Sequence, residues 1–101
     1  MKIKVIIEVT SWLKDDFDPK SPGSVVLEEA VSPGTSIMDL MHLLADKHPR
    51  FGKKAFADPK QGFFDYCAVI LNGNFVSAPA ELNKELKEGD TVILSTAFYG
   101  G

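Results

Sequence analysis

The chain has 101 residues, 45% of them hydrophobic and 25% charged, with a formal net charge of -3. That size and balance fit one domain with its own core and exclude a disordered chain; the acidic balance speaks against a nucleic-acid binder, which carries a basic stripe. No apolar run reaches the ~20 residues that span a bilayer, and Met1-Lys2-Ile3-Lys4 opens no secretory h-region, so a cytoplasmic protein without membrane contact is expected.

Lys2 to Thr10 alternates, with Ile3, Val5, Ile7 and Val9 on one side and Lys4, Ile6 and Glu8 on the other. A period of two with β-branched residues predicts a strand. Ser11 to Gly23 holds Asp15, Asp16, Asp18, Pro19, Ser21 and Pro22, a connecting turn. Ser24 to Val31 reads as a second strand, pairing with the first as a hairpin with an enlarged loop. Ser32-Pro33-Gly34 breaks the pattern, and Ser36 with Asp39 three residues on resembles a capping box. Ile37, Leu40, Met41, Leu44 and His48 then form one helical stripe, ended by Pro49. Pro49 to Gly62, with Lys53, Lys54, Pro59 and Lys60, is the least legible stretch, a long loop with room for a short helical turn. Tyr66 to Leu71 is a third strand, Asn72-Gly73 a hairpin turn and Phe75-Val76 a short return strand. Pro79 to Lys87 is polar with Leu82 and Leu86 as anchors, Gly89-Asp90 turns the chain, and Thr91 to Ala97 is the last strand.

A hairpin, a helix and three further strands fold most economically as one mixed sheet with the helix on one face. The last strand is expected beside the first, which places the residues after it at the sheet's centre. The core is expected from Ile3, Val5, Ile7, Val25, Leu27, Ile37, Leu40, Leu44, Val69, Leu71, Val92 and Leu94. Alternation leaves Ile6, Ile70 and Ile93 on the face away from the helix; if their strands are neighbours, they form an apolar patch of the kind that marks an interface.

Side chains suited to catalysis are scarce. Cys67, the single cysteine, sits in an apolar run and reads as a small core hydrophobe. His42 lies off the helical stripe and His48 at the helix end, where a cation is favourable; neither has a second ligand at zinc spacing. Asp15, Asp16 and Asp18 lack the glycine and distal glutamate of a calcium loop and read as a solvated turn. No metal site is expected. The most informative residues are the last ones, Tyr99-Gly100-Gly101. Two residues without Cβ atoms make a slim, pliable rod able to lie against another protein's backbone, so the carboxylate of Gly101 is itself the candidate functional group.

Several stretches together resemble the ubiquitin-like β-grasp sulfur carriers of the MoaD/ThiS family. They are Thr10-Ser11-Trp12-Leu13-Lys14, Pro33-Gly34-Thr35-Ser36-Ile37-Met38-Asp39-Leu40, Val69-Ile70-Leu71-Asn72-Gly73, Leu86-Lys87-Glu88-Gly89-Asp90-Thr91-Val92 and the terminal Gly100-Gly101. The likeness spans nearly the whole chain apart from residues 50 to 65. It implies an α+β fold of about five strands with one main helix, a single domain over 1–101, and a projecting tail over 98–101. It implies a carrier rather than an enzyme. A ubiquitin-activating-type enzyme, itself using ATP, adenylates the Gly101 carboxylate; sulfur displaces AMP, and the thiocarboxylate passes its sulfur to a synthase. No bound cofactor is implied for the chain itself. Gly100 and Gly101 would be the reacting end, Phe98 and Tyr99 the stretch threaded into a partner, and Ile6, Ile70 and Ile93 the docking face. Molybdopterin synthesis, with the synthase large subunit as acceptor, ranks first; the length leans to the molybdopterin or modifier branch, since the thiamin type is typically shorter. The molybdopterin type usually carries two prolines shortly before its diglycine, whereas this chain has Ser95-Thr96-Ala97-Phe98-Tyr99. The alternatives are a ubiquitin-related modifier, a carrier for thiamin, cysteine or tRNA thiolation, and a plain interaction module.

Overall fold

The apolar alternation of the first strand decides which way the sheet faces. In the computed structural model, which describes residues 1–10, 17, 18, 20, 23–56, 67–76 and 79–96 (apart from the side chains of 54–56, 67, 79 and 96), β1 runs Ile3–Val9 and buries Val5, Ile7 and Val9 completely. β2, Val25–Val31, lies antiparallel to it, with Ile3 opposite Val31 and Val9 opposite Val25. Two helices follow, α1 over Ile37–Lys47 and α2 over Pro49–Phe56. Then come β3, Cys67–Leu71, β4, Asn74–Val76, a 3-10 turn at Pro79–Asn83, and β5, Thr91–Thr96. The strands form one sheet in the order β2-β1-β5-β3-β4. β5 is thus the central strand, parallel to β1 and antiparallel to β3.

The helix start is fixed by hydrogen bonds that the sequence announces. The Asp39 amide donates to Ser36 Oγ at 3.1 Å, and the Ser36 amide donates to Asp39 Oδ2 at 3.1 Å, closing a full capping box. From there Ile37, Leu40, Met41 and Leu44 point into the core against Val5, Ile7, Val69, Val92 and Leu94. Ile3, Leu27 and Leu71, expected in the core, are half-buried at its margin. Phe51, Val76, Leu82 and Leu86 join it. The segment before β5 is stitched to the helix start: the Ile37 amide donates to Lys84 O at 3.0 Å and the Leu86 amide to Thr35 O at 2.8 Å.

α2 is the main departure from expectation. Residues 49–56 are a helix of two turns rather than part of a long loop. His48 leaves helical angles at φ -128 and ψ 85 because proline follows it, and Pro49 opens α2 at the position where its missing N–H costs nothing. Gly52 lets α2 sit tight on α1, since a Cβ there would lie 2.9 Å from Ala45 O and 3.0 Å from Ala45 Cβ. Fully buried Phe51 is the anchor. The ring of Phe17, from the β1–β2 connection, packs 5.0 Å from Phe51 and 4.5 Å from His48. That packing also corrects the reading of His48 as a favoured cation. Burial, the largest influence, holds its pKa below the usual 6.5; Glu29 opposes and Lys47 reinforces this. The expected burial of Cys67 concerns a side chain outside the described set.

Candidate functional site

The register of five strands assembles one row of side chains on the face away from the helices. Phe75 of β4 stands opposite Ile70 of β3, Ile70 opposite Ile93 of β5, Ile93 beside Glu8 of β1, and Glu8 opposite Val26 of β2. At ~4.8 Å between strands the row is roughly 19 Å long. Ile6 is the partner of Thr91 and so sits diagonally from Ile93. The expected trio of Ile6, Ile70 and Ile93 is therefore brought together, each residue half-buried. The structure enlarges it with Phe75, 71% exposed, and Val26, 61% exposed. An exposed ring next to two isoleucines makes a clustered apolar patch, where isolated apolar residues would need no explanation. α2 packs on α1 rather than on this face, and residues 57–65 lie outside the described residues.

The enlarged patch had a signal in the sequence. Asn72 and Gly73 both take positive φ, 50 and 87, the signature of a two-residue type I′ turn. A turn of that kind leaves no freedom of register: Leu71 meets Asn74, and Ile70 must meet Phe75. Val26 had no such signal, because the long β1–β2 connection does not fix its pairing.

The same turn clamps the start of β5. Asn72 Nδ2 donates to Asp90 Oδ1 at 3.0 Å, while Asn72 Oδ1 accepts from the Thr91 amide at 2.9 Å. The Asn72 amide donates to Thr91 O at 2.9 Å, and Asp90 Oδ2 accepts from the Lys87 amide at 2.8 Å. On the other side the Gly89 amide donates to Lys4 O at 2.8 Å and the Ile6 amide to Asp90 O at 2.9 Å. Residues that carried the family resemblance, Asn72-Gly73 and Gly89-Asp90-Thr91, thus hold β5 between β1 and β3 in one register. At its far end β5 is held again: Leu94 O accepts from both the amide and the hydroxyl of Thr10, at 2.9 and 3.3 Å, and Thr96 pairs with Cys67. β5 is thus held by its neighbours at both of its ends. Phe98, Tyr99, Gly100 and Gly101 themselves lie outside the described residues.

Other candidate chemistry is sparse. Among the described residues no group of three His, Cys, Asp or Glu side chains is placed to hold a metal ion. Asp18 closes a local turn, accepting from the Lys20 amide at 3.1 Å; Asp15 and Asp16 lie outside the description. Among the described residues no helix is long and apolar enough to cross a membrane.

A mixed sheet with a parallel central pair, wrapped on one face around a capped helix, is the ubiquitin-like β-grasp. The sequence model of the ThiS family matches residues 22–101, and the chain belongs to that family. No curated protein matches the sequence. Among solved structures, the small archaeal modifier protein 1 of Haloferax volcanii is 19% identical, with a TM-score of 0.73 over 97% of this chain and 99% of that one. The solution structure of small archaeal modifier protein 1 from Methanosarcina acetivorans is also 19% identical, with a TM-score of 0.72 over 100% and 99% of the two chains. The ubiquitin of Caldiarchaeum subterraneum is 17% identical, with a TM-score of 0.50 and full coverage of both chains. At these identities the likeness is one of fold.

Proposed function

We propose that the chain is a sulfur carrier whose reacting group is the carboxylate of Gly101. The observation that carries this reading is the ThiS-family match, which runs through residue 101 and so takes in Gly100-Gly101 together with the β5 clamp. A carboxylate is a poor electrophile. A ubiquitin-activating-type partner joins it to the AMP portion of ATP and releases pyrophosphate. Sulfur at the sulfide level then attacks the acyl carbon, the C–O bond to AMP breaks, and a thiocarboxylate remains for delivery to an acceptor. Nothing in this sequence of steps asks the carrier for a catalytic base; it is a substrate of its partners, and ATP belongs to the activating one.

The geometry suits that role. Five residues, 97 to 101, follow β5, and at ~3.3–3.6 Å each they reach at most about 18 Å. Reacting atoms must approach to about 3–3.5 Å, so a slip of one residue in β5 would move the terminus out of range. The Asn72–Asp90 clamp is what prevents the slip. Ile6, Ile70 and Ile93, extended by Phe75, form the face on which a partner docks, and Phe98-Tyr99 thread the end into its site.

The acceptor proposed first is the large subunit of molybdopterin synthase. A second reading, a modifier whose terminus joins lysines of other proteins, draws on the fold shared with archaeal proteins named modifiers and ubiquitin. Incubating the thiolated protein with a molybdopterin synthase large subunit and precursor, and separately with cell protein under conjugating conditions, distinguishes them. Sulfur loss to the precursor supports the first, and new isopeptide-linked species support the second. Deleting Gly101 abolishes either outcome while leaving the fold intact; unchanged activation of the truncated chain would refute both.

A further inference from the structure

The outer row has one member that is not apolar. Phe75, Ile70, Ile93 and Val26 are interrupted by Glu8, which lies beside Ile93 of β5 and opposite Val26 of β2. Its placement follows from the alternation of β1: Val5, Ile7 and Val9 are fully buried, so Lys4, Ile6 and Glu8 turn to the other face. Glu8 is half-buried there. The strand residues that share the face carry three charges, Lys4, Glu8 and Glu28. Glu28 is opposite Ile6, hence diagonal both to Lys4 and to Glu8. It is Lys4 that it bridges, at 3.6 Å. Lys4 itself lies four residues along the strand from Glu8, roughly 14 Å. Two carboxylates thus share one ammonium. Among the described residues Glu8 has neither an ion pair nor a side-chain hydrogen bond. The hydroxyl of Thr10, next on the same face, is donated to Leu94 O.

We infer that Glu8 is a specificity-determining residue of the docking face: the partner that covers the row presents a basic side chain to it within an otherwise apolar surface. The inference rests on the reading of this face as the one on which the activating partner docks. Covering Ile93 and Val26 takes water away from Glu8 between them, and a carboxylate stripped of water without a new partner is strongly destabilising. A partner surface that is apolar at this point is rejected, and one with a cation there is selected. Discrimination of that kind works by penalising the wrong partner as much as by attracting the right one. Arginine suits the position best, since its guanidinium is weakly hydrated and grips a carboxylate through two parallel N–H groups. The ion pair also supplies what the rest of the row lacks. Apolar burial is non-directional, so it leaves a partner free to slide along Phe75, Ile70 and Ile93, whereas a hydrogen-bonded charge pair fixes its register. Glu8 lies beside Ile93, three residues before the end of β5. Fixing the partner at Glu8 therefore fixes where the residues after β5 enter it.

The test measures binding of the full chain to a cognate adenylating enzyme, with ATP omitted so that only docking is read. Glu8→Leu completes the apolar row and separates the two cases by sign. It weakens binding roughly hundredfold if a cation faces Glu8, and strengthens it if the covering surface is apolar throughout. Glu8→Gln, which keeps the shape and removes the charge, weakens binding about tenfold or more, chiefly through faster dissociation. Glu28→Gln stays within about threefold of the wild type, because that carboxylate is about three-fifths exposed and already bridged to Lys4. Each free variant is expected to keep the circular dichroism of the wild type. Equal or tighter binding of Glu8→Leu, or equal losses for Glu8→Gln and Glu28→Gln, would overturn the inference. Ile93→Asp checks the docking reading separately. Wild-type binding by that variant dismisses the face and this inference with it, whereas a loss there with none at Glu8 overturns the role of Glu8 alone.

Discussion

Replacing Asn72 with alanine tests whether the turn before β4 also sets the register of β5. Two side-chain hydrogen bonds disappear, Nδ2 to Asp90 Oδ1 at 3.0 Å and the Thr91 amide to Oδ1 at 2.9 Å. Because Asn72 is exposed, each belongs at the lower end of the usual range, roughly 0.5–1 kcal/mol. The backbone adds a second cost: φ is 50, a left-handed conformation that asparagine tolerates and that costs alanine roughly 1 kcal/mol. The expected loss is about 2–3 kcal/mol, read as a lower urea midpoint at unchanged slope. Asn72→Gly loses the same hydrogen bonds without the left-handed cost, so it lies closer to the wild type than alanine does. Amide exchange at Thr91 accelerates in both variants, because that N–H has lost its side-chain acceptor. Wild-type stability for Asn72→Ala, or a glycine variant no better than the alanine one, would refute the clamp.

Four further outcomes follow from the same structure. Leu40→Ala, at a fully buried position, is expected to cost about 2–5 kcal/mol; an unchanged denaturation midpoint would contradict the placement of α1. Gly52→Ala gains up to ~1 kcal/mol of helix propensity but drives a Cβ to 2.9 Å from a backbone oxygen of α1, an overpacking cost of about 1–3 kcal/mol. The net is destabilisation on calorimetry, and a raised Tm would show that the helices are not in close approach. His48 is a base whose folded pKa is lowered, so the unfolded chain binds more protons in the window below about 6.5. Stability is therefore lost as pH falls through that window and levels off below the folded pKa, and His48→Gln flattens this part of the Tm profile; parallel profiles for the two proteins would remove the burial argument. Ile93→Asp places a carboxylate in the middle of the outer row and is expected to weaken binding of the activating enzyme more than tenfold, about 1.4 kcal/mol per decade, with unchanged circular dichroism. Equal affinity would leave the terminal chemistry standing and dismiss the docking face.

Local rules carried most of the fold. The alternation of β1, the Ser36–Asp39 capping box and the Asn72-Gly73 turn are each decided within a few residues, and all three are built as the sequence implies. α2 was illegible for a physical reason. Its eight residues, PRFGKKAF, include a glycine that disfavours a helix in isolation, and its stability comes from Phe51 and from the close approach of Gly52 to Ala45, which are tertiary contacts. The environment of His48 was hidden likewise, since the ring beside it comes from Phe17, far away in sequence. At the candidate site, parity placed Ile6, Ile70 and Ile93 on one face, but their adjacency needed the strand order. Phe75 was within reach of the turn rule, and the clamp role of Asn72 and Asp90 was not, because it joins residues from two separate turns.

Sulfur carried on the last residue would be read from intact mass. The protein is incubated with a cognate adenylating enzyme, ATP and sulfide, then measured alongside a sample without ATP. The expected result is an ATP-dependent mass gain equal to one sulfur replacing one oxygen, confined on fragmentation to Gly101 and absent when Gly101 is deleted. An unchanged mass in the presence of an enzyme shown to activate another member of the family, or a gain located on any other residue, would contradict it.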